Sequence, residues 1–451
     1  MFLIFLLSYT IPLDSPLMEN IEYLQIRGLI NIPHFRPYEM EWIIPQIDEL
    51  LVNGKQMNEN DRKIISSFTP LLTKNQDFSY LLHLNGSYQN TPELYYLFLD
   101  YRGGGQLTNS IEYSHGIRCR RSSVIDSLGP KEWKGFQVYF PQGEITFKKK
   151  KVAFNIGRRN FLLGFNDDND LLLSADPRGY DGFSLFFPAG YFEFYNIFSV
   201  LDASQNRYLT IHRLGMNLKN FINLGFSEAL LFGGTLEPLY LNFLLPYYLT
   251  QWGTARDDNV LWCFDVRLRL WNSFLYGELL VDDYMYEDDP YPDKLGYKAG
   301  LKTIFFSTLV TKFSYTFVDK WVYTQRHSVN TYERNGVCLG YPLGNDVDNI
   351  SFSVRFVNKF RLYPGIKIEY TRKGEGSIFL PYEEEGGDWN PPFPSGIVEK
   401  KFRMKTGVDY ILKYNFYLSI DINKTYWRNY NHEPGNDRSE FSFNFSLWAV
   451  F

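Results

Sequence analysis

Beyond its first ten residues, the sequence has no uninterrupted apolar run approaching the roughly 20 residues that a membrane-spanning helix needs. A chain of this kind can cross a bilayer only as a closed barrel, where every spanning strand finds backbone partners without water. There is no excess of charge of one sign either. The 46 Lys and Arg stand against 51 Asp and Glu, which excludes the polycationic surface of a nucleic-acid partner. Cysteine is scarce: Cys119, Cys263 and Cys338 lie far apart without ligand-like spacing, which argues against a metal knuckle. One disulfide stays open, with no pair preferred. Repeats of blade length are missing as well, which argues against a soluble propeller.

Aromatic side chains are abundant, at 18% of the chain with 39 Phe, 34 Tyr and 9 Trp. That richness suits the interface girdles of a membrane barrel. The start, MFLIFLLSYTIPLDSP, carries the apolar core of a secretory signal without the basic residues that should precede it, and residues 1–14 are read as a truncated signal peptide.

Residues 15–75 follow helical grammar. Ser15-Pro16 starts one helix, Arg36-Pro37 opens a second running to about Val52 in which Pro45 makes either a kink or a separate first turn, and Asn58 with Asp61 opens a third. The apolar spacing agrees, for example at Ile43, Ile47, Leu50 and Leu51. A module of this size buries too little to stand alone and is expected to dock on something, on the periplasmic side.

From residue 76 the period changes to two. Phe402, Met404, Val408 and Tyr410 form one such run, and Phe416, Leu418, Ile420 and Ile422 another; the last segment, FSFNFSLWAVF (441–451), sets apolar odd positions against Ser442, Asn444 and Ser446. Short turns alternate with longer stretches such as YEDDPYPDK (286–294) and PYEEEGGDWNPPFPSG (381–396). At about 20 to 22 residues per strand and connection, residues 76–451 predict an all-β transmembrane barrel of eighteen antiparallel strands, sixteen being the near miss, closed by the terminal strand.

The middle of the chain carries a resemblance. RYLTIHRLGMNLKNFINLGFSEALLFGGTLEPLYLNFLLPYYLTQW (207–252), DDNVLWCFDVRLRL (257–270) and FLYGELLVDD (274–283) resemble the Wzi family of capsule-assembly proteins. The matching features are His212-Arg213, Ser227-Glu228, Gly233-Gly234, Asn242 ahead of Pro246, Asp258-Asn259, and Tyr276-Gly277-Glu278 leading to Asp282-Asp283. Upstream, GRRNFLLGFNDDNDLLLS (157–174), with Arg158, is similar to the family's Gly-Arg strand, and YLQIRGLINIPHFRPY (23–38) to its helical module. The resemblance covers most of the chain and is strongest over 150–285. It implies an eighteen-stranded outer-membrane barrel with a periplasmic helical bundle, a closed lumen and a lectin's role in holding capsular polysaccharide on the cell.

Alternation places Asp265, Arg267 and Arg269 on one face of their strand and Tyr276, Glu278 and Asp282 on the matching face of the next, so a charge network in the lumen is expected. Such charges either line a path for sugar or ions or satisfy one another and close the barrel. His212, Ser227 and Glu228 invite comparison with a hydrolase triad, but no nucleophile elbow or oxyanion-hole signature accompanies them, and the chain is read as no enzyme. Glu228 also falls in step with the apolar Ile222, Leu224 and Phe226, which predicts a bulge or a rim position.

Sugar rings stack on aromatic faces and pair with carboxylates and amides. The loop candidates are therefore Tyr284, Tyr286 and Asp288, and Tyr382, Glu384, Asp388, Trp389 and Asn390. Acidic loops equally suit divalent cations bridging to anionic glycans. The expected partners are capsular or extracellular polysaccharide, outer-membrane lipid with lipopolysaccharide, and polysaccharide-export machinery. The protein is expected to be a monomer without cofactor or bound metal, exported through the periplasm. The competing reading is a channel whose lumen charges set selectivity.

Overall fold

The computed structural model describes residues 10–450 apart from 12, 14, 34, 54–56, 69–77, 125, 127–128, 165–168, 177, 219–220, 285–290, 359, 383–389 and 414–415. Eighteen strands close into one antiparallel barrel. They are β1 (Phe78–Asn90), β2 (Glu93–Thr108), β3 (Ile111–Ser122), β4 (Gln137–Lys149), β5 (Val152–Arg159), β6 (Tyr180–Ala189), β7 (Phe192–Asp202), β8 (Arg207–Leu218) and β9 (Ile222–Phe232). The second half is β10 (Asn259–Leu270), β11 (Ser273–Asp283), β12 (Lys294–Phe305), β13 (Leu309–Val318), β14 (Val347–Phe356), β15 (Leu362–Lys373), β16 (Glu399–Lys413), β17 (Phe416–Arg428) and β18 (Arg438–Val450). Each strand pairs with its neighbour in sequence, and β18 pairs with β1 from Ser442↔Gln89 to Val450↔Leu81, so no sheet edge remains open.

The alternation seen in the sequence becomes inside and outside. On β10, Leu261, Cys263, Asp265 and Arg267 are buried in the lumen while Phe264 stands 45% exposed on the wall. Leu214, Phe313, Ile350 and Phe402 are exposed on the same outer surface, an apolar skin suited to hydrocarbon. None of the described helices is long and apolar enough to cross a membrane. The protein is an outer-membrane barrel that crosses with its strands. All three cysteines are free thiols, so the open disulfide does not form.

Three helices, α1 (Leu17–Ile26), α2 (Met40–Asn53) and α3 (Glu59–Ser66), fold into the end of the barrel that carries the short turns. Asn58 caps α3, accepting from Asp61 N at 2.9 Å while Asp61 returns a bond to Asn58 N at 3.0 Å. Pro45 is carried inside α2. The oily faces of the module, among them Ile21, Leu24, Ile43, Ile47 and Ile64, pack on Phe274, Ile304, Val357, Ile411 and Trp448 of the wall. Thr10–Ile11, placed with the signal peptide by the sequence pattern, pair with Tyr38–Glu39, and Ile11 is buried in this core.

Charge keys the helices to the wall. Glu22 of α1 takes both Lys302 and Lys312, the latter at 2.6 Å, and Glu19 takes Arg355 at 2.8 Å. Glu39 takes Arg159 at 2.5 Å, with Lys148 at 3.6 Å. Burial alone would raise the Glu39 carboxyl, but Arg159 and Lys148 together hold it below its ordinary value of 4.5. A group depressed on folding stabilises above its ordinary pKa, and that contribution is lost as pH falls through the lowered value.

Glu39→Ala removes one carboxylate from a shared cluster in which Arg159 keeps Glu144 at 3.1 Å and Lys148 keeps Glu112 at 2.5 Å, and is expected to cost about 1–3 kcal/mol. Protease cleavage of the helices should then begin at lower urea while the barrel keeps its heat-modifiable gel shift. An unchanged midpoint would contradict the keyed plug. The wild-type midpoint itself should begin to drop as pH is taken below about 4.5 and keep falling as the lowered Glu39 value is reached.

Candidate functional site

At the other end of the barrel, two long connections fold inward. Residues 160–179, where described, and 319–346 are tied together by Tyr323 Oη donating to Leu171 O at 2.5 Å, Tyr332 Oη to Leu172 O at 2.8 Å and Ser174 N to Leu339 O at 2.8 Å. The first loop meets the helical plug in mid-lumen, where Arg36 and Leu162 exchange backbone bonds at 2.9 and 3.1 Å. Phe35 stacks there on Tyr195 at 4.2 Å. The β4–β12 side of the lumen is thus occupied along its length, and open space is left on the other side.

Two cavities share that space. One, of about 540 Å³, lies at the loop end between the β2–β4 wall and the inward loops. Its aromatic faces, Tyr96, Phe98, Tyr139 and Tyr180, alternate with guanidinium groups. Arg334 lies over Tyr180 at 5.4 Å and reaches Asp176 at 3.3 Å; Arg118 lies over Phe98 at 4.4 Å and pairs with Asp100 at 2.7 Å. Arg178 holds Asp176 at 3.2 Å, and Tyr139 Oη donates to Asp126 at 3.1 Å. The second cavity, about 780 Å³, adjoins it at Tyr96, Phe98 and Pro342 and runs along β13–β18 down to α1. Aromatic planes beside fixed donors and carboxylates can stack a sugar ring and bind its hydroxyls.

The charge network predicted for β10 and β11 folds differently. Asp265 receives Arg213 Nη1 and Nη2 at 2.5 and 2.7 Å, across the lumen face from β8. Arg267 donates to Asn223 Oδ1 at 2.9 Å and lies over Phe274 at 4.5 Å. Glu278 accepts from Leu171 N at 3.3 Å and stands 3.9 Å from Lys298, while Asp282 accepts from Tyr323 N at 2.5 Å. These carboxylates hold the inward loops in place. Asp265 and Glu278 do face each other across β10 and β11, but their cationic partners come from β8 and β12, and the inward loops supply backbone amides.

The triad is separated by the wall itself. Ser227 faces the lumen and accepts from Arg213 at 2.9 Å, whereas His212 and Glu228, directly opposite each other on β8 and β9, face outward. No bulge is involved: the β8–β9 register is unbroken through Glu228. The loop after β9 instead covers the pair from outside with a helix, α4 (Tyr247–Thr254). Glu228 accepts from the first two amides of α4, Tyr247 N at 2.7 Å and Tyr248 N at 2.9 Å, from Trp262 Nε1 at 3.0 Å, and lies 2.9 Å from His212 Nε2. Arg158 also faces outward, on Asp181 at 2.6 Å, and so is no lumen residue. Asn242 sits in the outer loop after a short 3-10 turn. Asp258 ties that loop down, accepting from Tyr240 Oη at 2.9 Å and Arg256 Nε at 2.7 Å, and Asn259 donates to Asn330 O at 3.0 Å across the rim.

Of the loop candidates, Tyr286, Asp288, Glu384, Asp388 and Trp389 lie outside the described residues. Tyr284 and Asn390 are exposed, while Tyr382 is buried against Tyr291 at 5.2 Å and Trp321 at 6.1 Å. Among the described residues, no cluster of His, Cys, Asp and Glu could hold a metal ion. The aromatic and arginine lining of the loop-end cavity escaped the sequence reading because its members come from β2, β3, β4, β6 and two loops.

No family model and no curated protein matches the chain. Among solved structures it is similar to Wzi of Escherichia coli, described as an outer-membrane protein involved in group 1 capsule assembly and a carbohydrate-binding β-barrel. The identity is 14%, the TM-score 0.67 and the coverage 99% of both chains. The chain has the Wzi fold. OccD3 (OpdP) of Pseudomonas aeruginosa is also found, at 10% identity and a TM-score of 0.49 over 83% of this chain and 91% of its own.

Glu228→Ala should free the start of α4, at a cost of about 1–2 kcal/mol. The expected result is trypsin cleavage after Arg256 in folded protein, with the lumen unaffected. Protection equal to wild type would show that the carboxylate does not pin the helix.

Proposed function

We propose that this chain is a non-enzymatic outer-membrane barrel that binds or anchors capsular or extracellular polysaccharide at the cell surface. The observation carrying the reading is the loop-end cavity, where Tyr139 and Tyr180 stand beside Arg178, Arg334 and Asp176 at the mouth of a barrel whose opposite end is filled by helices. Sugar-binding sites need such a concave, aromatic-and-polar surface. The fold shared with a carbohydrate-binding barrel supports the same conclusion. In this orientation the short turns and the plug face the periplasm, as they do in outer-membrane barrels generally. The exposed Leu51 and Val52 of α2 then face export machinery. Lipopolysaccharide surrounds the wall, and the protein acts as a monomer.

A second reading, a channel, is favoured by the larger cavity, which runs from the loop end to the α1 floor. Two measurements on refolded protein separate them. Calorimetry against polysaccharide purified from the source cells should give saturable binding, weakened about tenfold or more by Tyr180→Ala, a loss of about 1.4 kcal/mol or more. A planar bilayer should stay nearly silent. Steady conductance with no glycan binding would overturn the proposal in favour of the channel.

A further inference from the structure

The wall of the larger cavity carries an unusual charge pattern. Among the described residues, nine cationic side chains line it against five acidic ones, in a chain whose net charge is −5. Part of the excess is used by α1, whose Glu19 and Glu22 take Arg355, Lys302 and Lys312. Of the remaining six, Arg36 and Arg267 lie elsewhere, and four, Lys367, Lys401, Arg403 and Lys405, are concentrated on the lumen face of β15 and β16.

The register shows how it is built. On β16 the lumen positions Lys401, Arg403 and Lys405 lie opposite Thr371, Glu369 and Lys367 of β15, and opposite Trp427, Thr425 and Asn423 of β17. Three cations of this ladder pair directly with two carboxylates, Glu369 with Lys367 at 3.1 Å and Arg403 at 3.7 Å, and Asp421 with Lys405 at 3.0 Å, while Glu440 acts on Lys401 and Arg403. Lys401 makes no direct ion pair among the described residues, though the charges of Glu369, Glu399 and Glu440 act on it, and it lies over the Trp427 ring at 5.3 Å. Lys367 and Lys405 face each other directly across the strands. Like charges at such positions destabilise a sheet, and both side chains open onto the cavity, Lys367 at 29% and Lys405 at 40% exposure. A wall that serves only as structure would be expected to carry an acid or a neutral residue at one of the two positions.

We infer that this ladder, Lys367, Lys401, Arg403 and Lys405 with the Trp427 ring above it, is a binding site for an anionic chain whose charges recur along its length, such as a carboxylate-bearing oligosaccharide. A row of cations in step with the strand meets such a chain at successive residues, and Trp427 stacks the ring at the loop end. The inference rests on the polysaccharide reading for the identity of the ligand, and on the ladder alone for its charge.

The test uses the full-length protein refolded in a non-ionic detergent, with calorimetry against oligogalacturonate, a neutral malto-oligosaccharide of equal length and inorganic tripolyphosphate. The wild type should bind oligogalacturonate saturably and more weakly as salt rises, and the neutral sugar at least tenfold more weakly. Lys401→Gln/Lys405→Gln should lose tenfold or more of the anionic binding. It removes a repulsion, and its gel shift on heating checks that it folds. Lys400→Gln, on the outward face, should bind as wild type does. Equal binding of neutral and anionic sugars, or anionic binding unchanged in the double variant, overturns the inference while leaving the polysaccharide reading standing. Tripolyphosphate bound through the ladder with neither sugar bound supports the cationic site and overturns the polysaccharide reading. No binding of any of the three overturns the inference.

Discussion

Everything in the lumen depends on acids of the N-terminal helices meeting cations of the wall. Glu19 and Glu22 of α1, and Glu39 just ahead of α2, enter a barrel whose inner face offers Arg355, Lys302, Lys312, Arg159 and Lys148. A buried charge without its partner is costly, and although wall acids such as Glu112 and Glu144 share these cations, Lys302 and Lys312 meet Glu22 of the helices. The same constraint keeps the turn end shut and leaves the open volume on the β13–β18 side.

The loop end is organised by a related rule. Glu278 and Asp282 reach out from the wall to backbone amides of the inward loops, and Arg334 spans Asp176 and the Tyr180 ring. Charged side chains therefore act as struts that hold aromatic surfaces at fixed distances. Outside, Glu228 does the same work with another partner set, capping α4 on the lipid-facing wall. A carboxylate on the oily face is tolerated because a helix N-terminus, an indole and His212 surround it.

How much of the site could be read in advance varies with the origin of its contacts. In EKKFRMK (399–405) the apolar Phe402 and Met404 declare the strand, and the intervening Lys401, Arg403 and Lys405 declare a basic lumen face within the same seven residues. That half of the pattern is legible in the sequence itself. The pairing of Asp265 with Arg213, and the approach of Tyr180 to Arg334, were not legible, because those partners come from strands and loops far apart in the chain.

By itself, the sequence determined the barrel: strand periodicity is local, with every second residue facing the same side, and eighteen alternating segments joined by turns leave closure as the way to satisfy their edges. It also determined that helices precede the barrel. Only the tertiary structure decided where those helices go, which lumen charges are neutralised and where cavities remain. Those outcomes turn on pairs such as Glu22 and Lys302, 280 residues apart, whose meeting is set by barrel closure and by no local pattern.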